Sequence, residues 1–135
     1  MPEHTVYRKS AWVHVQNGKI LTVRSAGNDI FFIPGGGPEG SESSRDALMR
    51  EVMEELRVRL KRSTIRSLGV FTAPSFENPE HIPVRMTCFT AEYAGVLTPA
   101  SEVAEMDWFG FKDRARVSSV DQAVFDFLRL RRTIS

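Results

Sequence analysis

Glu51, Glu54 and Glu55 close the stretch PGGGPEGSESSRDALMREVMEELRV, residues 34–58, which opens on three successive glycines. On a helix these positions are i, i+3 and i+4, so the three carboxylates leave it from one side. Two like charges about 4 Å apart at an effective dielectric near 20 repel by roughly 4 kcal/mol, a cost that exposed glutamates lower by splaying apart. One reading is a solvated face, with Glu54 paired to Arg57 and Glu55 to Arg59, each pair contributing ~0.2–0.5 kcal/mol. The other is a divalent cation. Carboxylate oxygens suit a hard ion such as Mg²⁺, which keeps its remaining positions for water and phosphate oxygens.

The elements that must hold these side chains are legible around them. Ser43 is placed to cap a helix, Asp46 stands at the capping-box distance, and Leu48, Val52 and Leu56 recur every fourth residue to make a buried stripe. Upstream, SAWVHVQNGKILTVR reads as two strands joined by Asn17-Gly18, the dipeptide that supplies positive φ in a tight hairpin. IFFI, residues 30–33, reads as a short strand stopped by Pro34. SLGVFTAPSF, IPVRMTCFTAEYAGVL and EMDWFGF read as further strands, with ENPEH as turn material. A second helix is expected from near Ser119, with Gln122 three residues on and Val120, Val124, Phe127 and Leu128 on one face. The terminal RLRRTIS is expected to be frayed and solvated. No repeat or interdomain linker is visible, so the expectation is one α+β domain over residues 1–135, with a mixed sheet between helices.

Composition excludes several classes of partner. With 18 basic and 17 acidic side chains the formal net charge is +1, so no global field favours a stable nucleic-acid complex or an anionic membrane. The N-terminal MPEHTVYRKS lacks the apolar run of a signal peptide, and no 18-residue apolar segment is present, so a cytoplasmic location is expected. The single cysteine, Cys88, lies in an apolar run with nothing nearby to generate a thiolate, and reads as a structural core residue.

From Gly36, five residues lead to Glu42 and seven more to REVMEE, ending at Val58. This resembles the Nudix box of the Nudix hydrolases, Gly-x5-Glu-x7-Arg-Glu-U-x-Glu-Glu-x-Gly-U, with U a bulky aliphatic. Eight of its nine specified positions match, at Gly36, Glu42, Arg50, Glu51, Val52, Glu54, Glu55 and Val58. The departure is Arg57 where the family has glycine, so the helix must either accept a left-handed end, at about 1–2 kcal/mol, or run on for another turn. GSE in place of the common PGE before Glu42 affects loop stiffness alone.

The resemblance implies an α/β/α Nudix sandwich with a mixed central sheet, and an Mg²⁺- or Mn²⁺-dependent reaction in which water attacks phosphorus. Carried over residue by residue, Glu51, Glu54 and Glu55 become the metal ligands, helped by the backbone carbonyl of Gly35 or Gly36. Arg50 becomes a partner of Glu42 that pins the glycine loop and orients the ligands. Gly35, Gly36 and Gly37 allow close backbone approach to substrate phosphates. For the general base, SEVAEMDWF offers Glu102 and Glu105 ahead of Trp108, with Glu102 preferred and a box glutamate as the alternative. Among aromatics, Phe32, Phe71, Phe76 and Phe109 are candidates to stack on a base, Phe32 first, against the ordinary expectation that they fill the core. His4, His14 and His81 have no metal-ligand spacing; His14 reads as a strand residue and His81 as part of a surface loop.

The implied function is a pyrophosphohydrolase of nucleoside diphosphate derivatives: a nucleoside triphosphate, ordinary or oxidised, ADP-ribose, or a nucleotide sugar. The compact chain favours the triphosphates. Its small-molecule partner is thus a nucleotide, and a homodimer stays open because nothing in the composition marks an interface. The alternative is a Nudix-fold module that senses a nucleotide without cleaving it. Such a module has no need of a complete set of box carboxylates.

Overall fold

The computed structural model describes residues 6–75 and 80–135, so Phe76, His4 and most of the ENPEH turn lie outside the described residues. Strand β1 (Tyr7–Trp12) runs parallel to β7 (Val84–Thr90), which pairs antiparallel with β6 (Arg66–Ala73). The short β4 (Gly35–Gly36) pairs antiparallel with the other edge of β1, giving a mixed sheet ordered β4-β1-β7-β6. A second, antiparallel sheet has β3 (Lys19–Ser25) between β2 (Val15–Gln16) and β9 (Val103–Phe109), and β5 (Arg59–Leu60) pairs with β8 (Tyr93–Ala94).

Helix α1 (Ser44–Leu56) covers one face of the mixed sheet and α2 (Ser119–Leu130) the other. The strand period divides the core between them. On β1, Ala11 packs with Val120, Val124, Phe125 and Leu128 of α2, while the next residue, Trp12, packs with Leu48, Val52 and Leu56 of α1. Cys88 and Phe89 divide in the same way on β7. This is the helix–sheet–helix layering expected.

Helix α1 begins as the sequence indicates, with the Ser43 hydroxyl accepting the Asp46 N–H at 3.1 Å. Leu48, Val52 and Leu56 are fully buried, so truncating one to alanine costs about 2–5 kcal/mol. The helix stops at Arg57, in the left-handed region at φ 61, ψ 25, with its N–H on the Met53 carbonyl. Of the two ways to do without glycine, the chain takes the strained one. Val58, fully buried, then leads into β5.

Three expectations are corrected. The stretch SAWVHVQNGKILTVR is not one long hairpin: its first half splits at Val13–His14, where β1 stays in the mixed sheet and β2 joins the other. The Val13 N–H goes to the Phe89 carbonyl while His14 accepts from Leu21, so two partners pull adjacent residues apart. His14 accordingly sits between strands; the turn itself holds, with Asn17 at φ 53 and Gly18 at φ 76. Residues 30–33 form only isolated bridges, Phe32 to Val23 and Phe31 to Val117, because the next N–H, that of Ile33, is taken by the Asp121 carboxylate at 3.3 Å. The C-terminal residues are tied down: Arg132, at φ 59, closes a Schellman turn with Thr133 N–H on the Leu128 carbonyl, Ile134 is buried, and Ser135 bonds Gly18 and Phe111. In α2, Phe125 is the fully buried aromatic, while Phe127 is partly buried and meets Phe71 edge-on at 5.3 Å.

Candidate functional site

The site is where β4 passes beneath α1. Gly35 has φ 146, and a Cβ there would lie 1.9 Å from the Ser10 carbonyl oxygen. At Gly36 the neighbour is a side chain: a Cβ there would fall 2.4 Å from Cδ of Glu51, which would have to move. Gly35 is thus required by the backbone of β1, and Gly36 leaves the room that the Glu51 side chain occupies. Gly37 presents its carbonyl to Arg50 at 3.1 Å.

Arg50 organises the acidic side of α1. Its guanidinium donates to both oxygens of Glu42, Nε to Oε2 and Nη2 to Oε1, each at 2.9 Å. Its Nη1 donates to Glu51 and to Glu54, both at 3.0 Å, and lies 3.5 Å from Glu39. The bond to Arg50 holds the Glu42 carboxyl below the usual carboxylate range. Glu51 shifts the other way, because burial outweighs the help it receives from Arg50.

Glu55 is set apart. Its Oε1 accepts the Gly35 N–H at 3.1 Å, and no arginine or lysine forms an ion pair with it among the described residues. Burial pushes its carboxyl up to about 8; the Gly35 N–H opposes that, and Glu51 adds to it. Lys9 and Glu102 both act on it through space. Among the described residues no three acidic, histidine or cysteine side chains are gathered into a ready ion cage, since Glu51 and Glu54 turn to Arg50 and Glu55 to Gly35.

Of the two base candidates, Glu105 is bonded to Arg24 across β3 and β9 at 2.7 Å, whereas Glu102 is exposed on the turn before β9 and near enough for its charge to act on Glu55. Phe109 belongs to the core, against Phe31, and Phe71 lies against α2. His14 is half-buried, stacked on Trp12 at 4.6 Å. Cys88 is buried and its thiol is pushed up to about 12 by that burial, which removes it from chemistry at neutral pH.

Phe32, by contrast with Phe71 and Phe109, lines a cavity. A space of about 480 Å³ lies between residues 28–32 and the start of α2, lined by Phe32, Asn28, Ile30, Val117, Ser119 and Gln122. A smaller recess of about 50 Å³ shares Phe32 and Ser119 with it and adds Lys9, Ser118 and Val120. Sequence reasoning missed Lys9, Ser118 and the buried Asp121, whose Oδ2 accepts from Ser118 Oγ at 2.7 Å. Lys9 had a signal: it falls on the same face of β1 as Ala11, where alternation calls for an apolar residue.

The sequence model of the NUDIX domain matches residues 6–127. The chain belongs to the NUDIX domain family. By that membership it is a Nudix hydrolase acting on phosphoanhydride bonds. No curated protein matches its sequence significantly. Solved structures do match the Nudix chain in shape. The MutT protein from Methanosarcina mazei Go1 superposes with a TM-score of 0.76 at 16% identity, covering 97% of this chain and 98% of that one. The E. coli ORF135 protein gives 0.72 at 20% identity over 97% and 96%, and a NUDIX hydrolase from Nitrosomonas europaea 0.72 at 18% over 93% and 90%. At these identities the likeness is one of fold. No helix among the described residues is long and apolar enough to cross a membrane.

Proposed function

We propose that this Nudix chain is, as a single domain, a divalent-metal-dependent pyrophosphohydrolase whose substrates are nucleoside diphosphate derivatives, nucleoside triphosphates first among them. The observation that carries the reading is Glu55: a largely buried carboxyl group, held among the described residues by the Gly35 N–H alone, beside Glu51 and the glycine loop. An acid kept out of water without a cationic partner is costly unless something positive is to join it.

The residues fit a hard cation. Glu51, Glu54 and Glu55, with a carbonyl of the glycine loop, form an all-oxygen donor set, and Gly36 leaves open the space in which Glu51 sits. Mg²⁺ or Mn²⁺ held there supplies neutralisation of the charge developing on the pyrophosphate oxygens. The chain's own residues do the rest. Arg50 ties Glu42, Glu51 and Glu54 to one another and to Gly37, which keeps them on one side of α1, and to meet an ion Glu51 and Glu54 turn from Arg50 and Glu55 from Gly35. Gly35, Gly36 and Gly37 let the phosphates approach the backbone, and Phe32 forms a wall of the 480 Å³ cavity, large enough to take a nucleoside. Water adds to one phosphorus of the anhydride, the P–O bond to the leaving phosphate breaks, and Glu102 takes the proton. Its exposure and its field at Glu55 support Glu102 over Glu105, which is held by Arg24. A cytoplasmic setting suits such a nucleotide substrate.

The test is a panel of nucleoside triphosphates, ADP-ribose and nucleotide sugars with Mg²⁺ or Mn²⁺ at neutral to mildly alkaline pH, following phosphate or pyrophosphate release. Turnover of one class, triphosphates foremost, is expected. Absence of turnover across the panel would leave a nucleotide-binding module.

A further inference from the structure

Lys9 is a half-buried lysine that makes no ion pair or hydrogen bond among the described residues. Its ammonium stands 5.2 Å from the centre of the Phe32 ring and lines the small recess with Ser118. A cation half removed from water gains little from an aromatic face alone, at about 0.5–2 kcal/mol. Within the described residues its charge is felt by Glu55 without a direct contact, so its ammonium is left available to a group in the recess.

Ser118 supplies the complement. Its hydroxyl hydrogen is given to Asp121, at 2.7 Å, and the Asp121 carboxylate is in turn fixed by the Ile33 N–H. With its hydrogen committed, the Ser118 oxygen faces other groups as an acceptor. In this recess, which Ser75 and Ser119 also line, Lys9 is a charged donor that cannot accept and Ser118 an acceptor whose hydrogen is spent on Asp121. Phe32 and Ser119 line both spaces, so the recess holding Lys9 and Ser118 adjoins the larger cavity.

We infer that Lys9 selects the base of the substrate, favouring nucleobases that present a ring carbonyl next to a ring N–H, as guanine, uracil and thymine do, over the amino-bearing adenine and cytosine. The carbonyl oxygen accepts from Lys9 and the adjacent N–H donates to Ser118. An exocyclic amine set at Lys9 instead would bring donor against donor and leave the ammonium without a partner, the kind of mismatch that gives strong rejection. The inference rests on the hydrolase reading only in taking the cavity's occupant to be a nucleotide.

Two measurements on the full chain, with wild type and Lys9→Met, decide it. The first is kcat/KM for GTP, UTP, ATP and CTP under Mg²⁺. Wild type is expected to favour GTP and UTP over ATP and CTP, and Lys9→Met to reduce that preference at least about tenfold. An equal loss on all four nucleotides would mean that Lys9 serves the phosphates, which overturns the inference. The second is calorimetric binding of GMP and AMP in EDTA, where no hydrolysis is involved. Tighter GMP binding that Lys9→Met abolishes supports base selection even if no triphosphate is turned over. Equal binding of GMP and AMP by the wild type overturns it even if hydrolysis is brisk. Lys9→Gln, which keeps a neutral donor, is expected to fall between wild type and Lys9→Met; a Lys9→Gln indistinguishable from wild type would contradict the role of the charge.

Discussion

Arg50 and Glu42 stand eight residues apart in the chain and meet as a forked pair, Nε on Oε2 and Nη2 on Oε1, both at 2.9 Å. The same guanidinium holds Glu51, Glu54 and the Gly37 carbonyl, so one side chain fixes the loop and two of the proposed metal ligands together. A lysine keeps the charge but loses the fork. Arg50→Lys is therefore expected to lower kcat by about 10–100-fold with little change in thermal midpoint. Steady-state kinetics beside a melting curve checks this, and an unchanged kcat would reduce the network to surface charge.

The two glycines of β4 are expected to fail differently. At Gly35 an added Cβ meets the Ser10 backbone at 1.9 Å in a positive-φ conformation, so Gly35→Ala should destabilise the fold by roughly 1–3 kcal/mol or more, as read by denaturant titration. At Gly36 the obstacle is the Glu51 side chain, which can move. Gly36→Ala should fold and weaken Mn²⁺ binding measured by calorimetry.

Glu55 gives the metal-free protein a signature in pH. Its folded carboxyl titrates near 8, above its value in the unfolded chain, so the folded state binds the extra proton between the ordinary carboxylate range and about 8. Its contribution to stability is present in full below that window and is lost as pH rises through it. Glu51 acts in the same direction, and Glu42, held low by Arg50, acts oppositely at acid pH. Melting curves in EDTA from pH 5 to 8 should show a downward trend that Glu55→Gln reduces; identical slopes for the two proteins would contradict the burial argument.

Arg57 carries strain of about 1–2 kcal/mol in its left-handed conformation, while glycine adds about 0.5–1 kcal/mol of unfolded-state entropy. Arg57→Gly should raise stability by about 0.5–1 kcal/mol in a chemical denaturation experiment. A loss of stability would mean that the arginine side chain contributes more than its backbone costs.

How much of this was legible in the sequence depends on how local the cause is. Helix α1 was readable to its cap because Ser43, Asp46 and the Leu48/Val52/Leu56 stripe interact within one element. The forked contact of Arg50 with Glu42 is local in the same sense, because both lie in one loop-helix unit. The split between β1 and β2 was not readable, because it is set by Phe89, some 75 residues beyond Val13 in the chain. The isolated bridges at residues 31 and 32 answer to Asp121 in the same way, and the ordered end of the chain to Gly18. The cavity beside Phe32 follows the same logic: Lys9, Phe32 and Ser118 come from three distant segments, of which the sequence singled out Phe32 as an aromatic and marked Lys9 only by its inward position on β1.

The central claim is that the carboxylates beneath the glycine loop make a metal-dependent hydrolytic site. Its most direct test is the rate of pyrophosphate or phosphate release from a nucleoside triphosphate under Mg²⁺, compared between wild type and Glu55→Gln. The account predicts turnover by the wild type and a loss of at least about 100-fold in Glu55→Gln, with the variant as well folded as its parent. Equal turnover by the two proteins would contradict it.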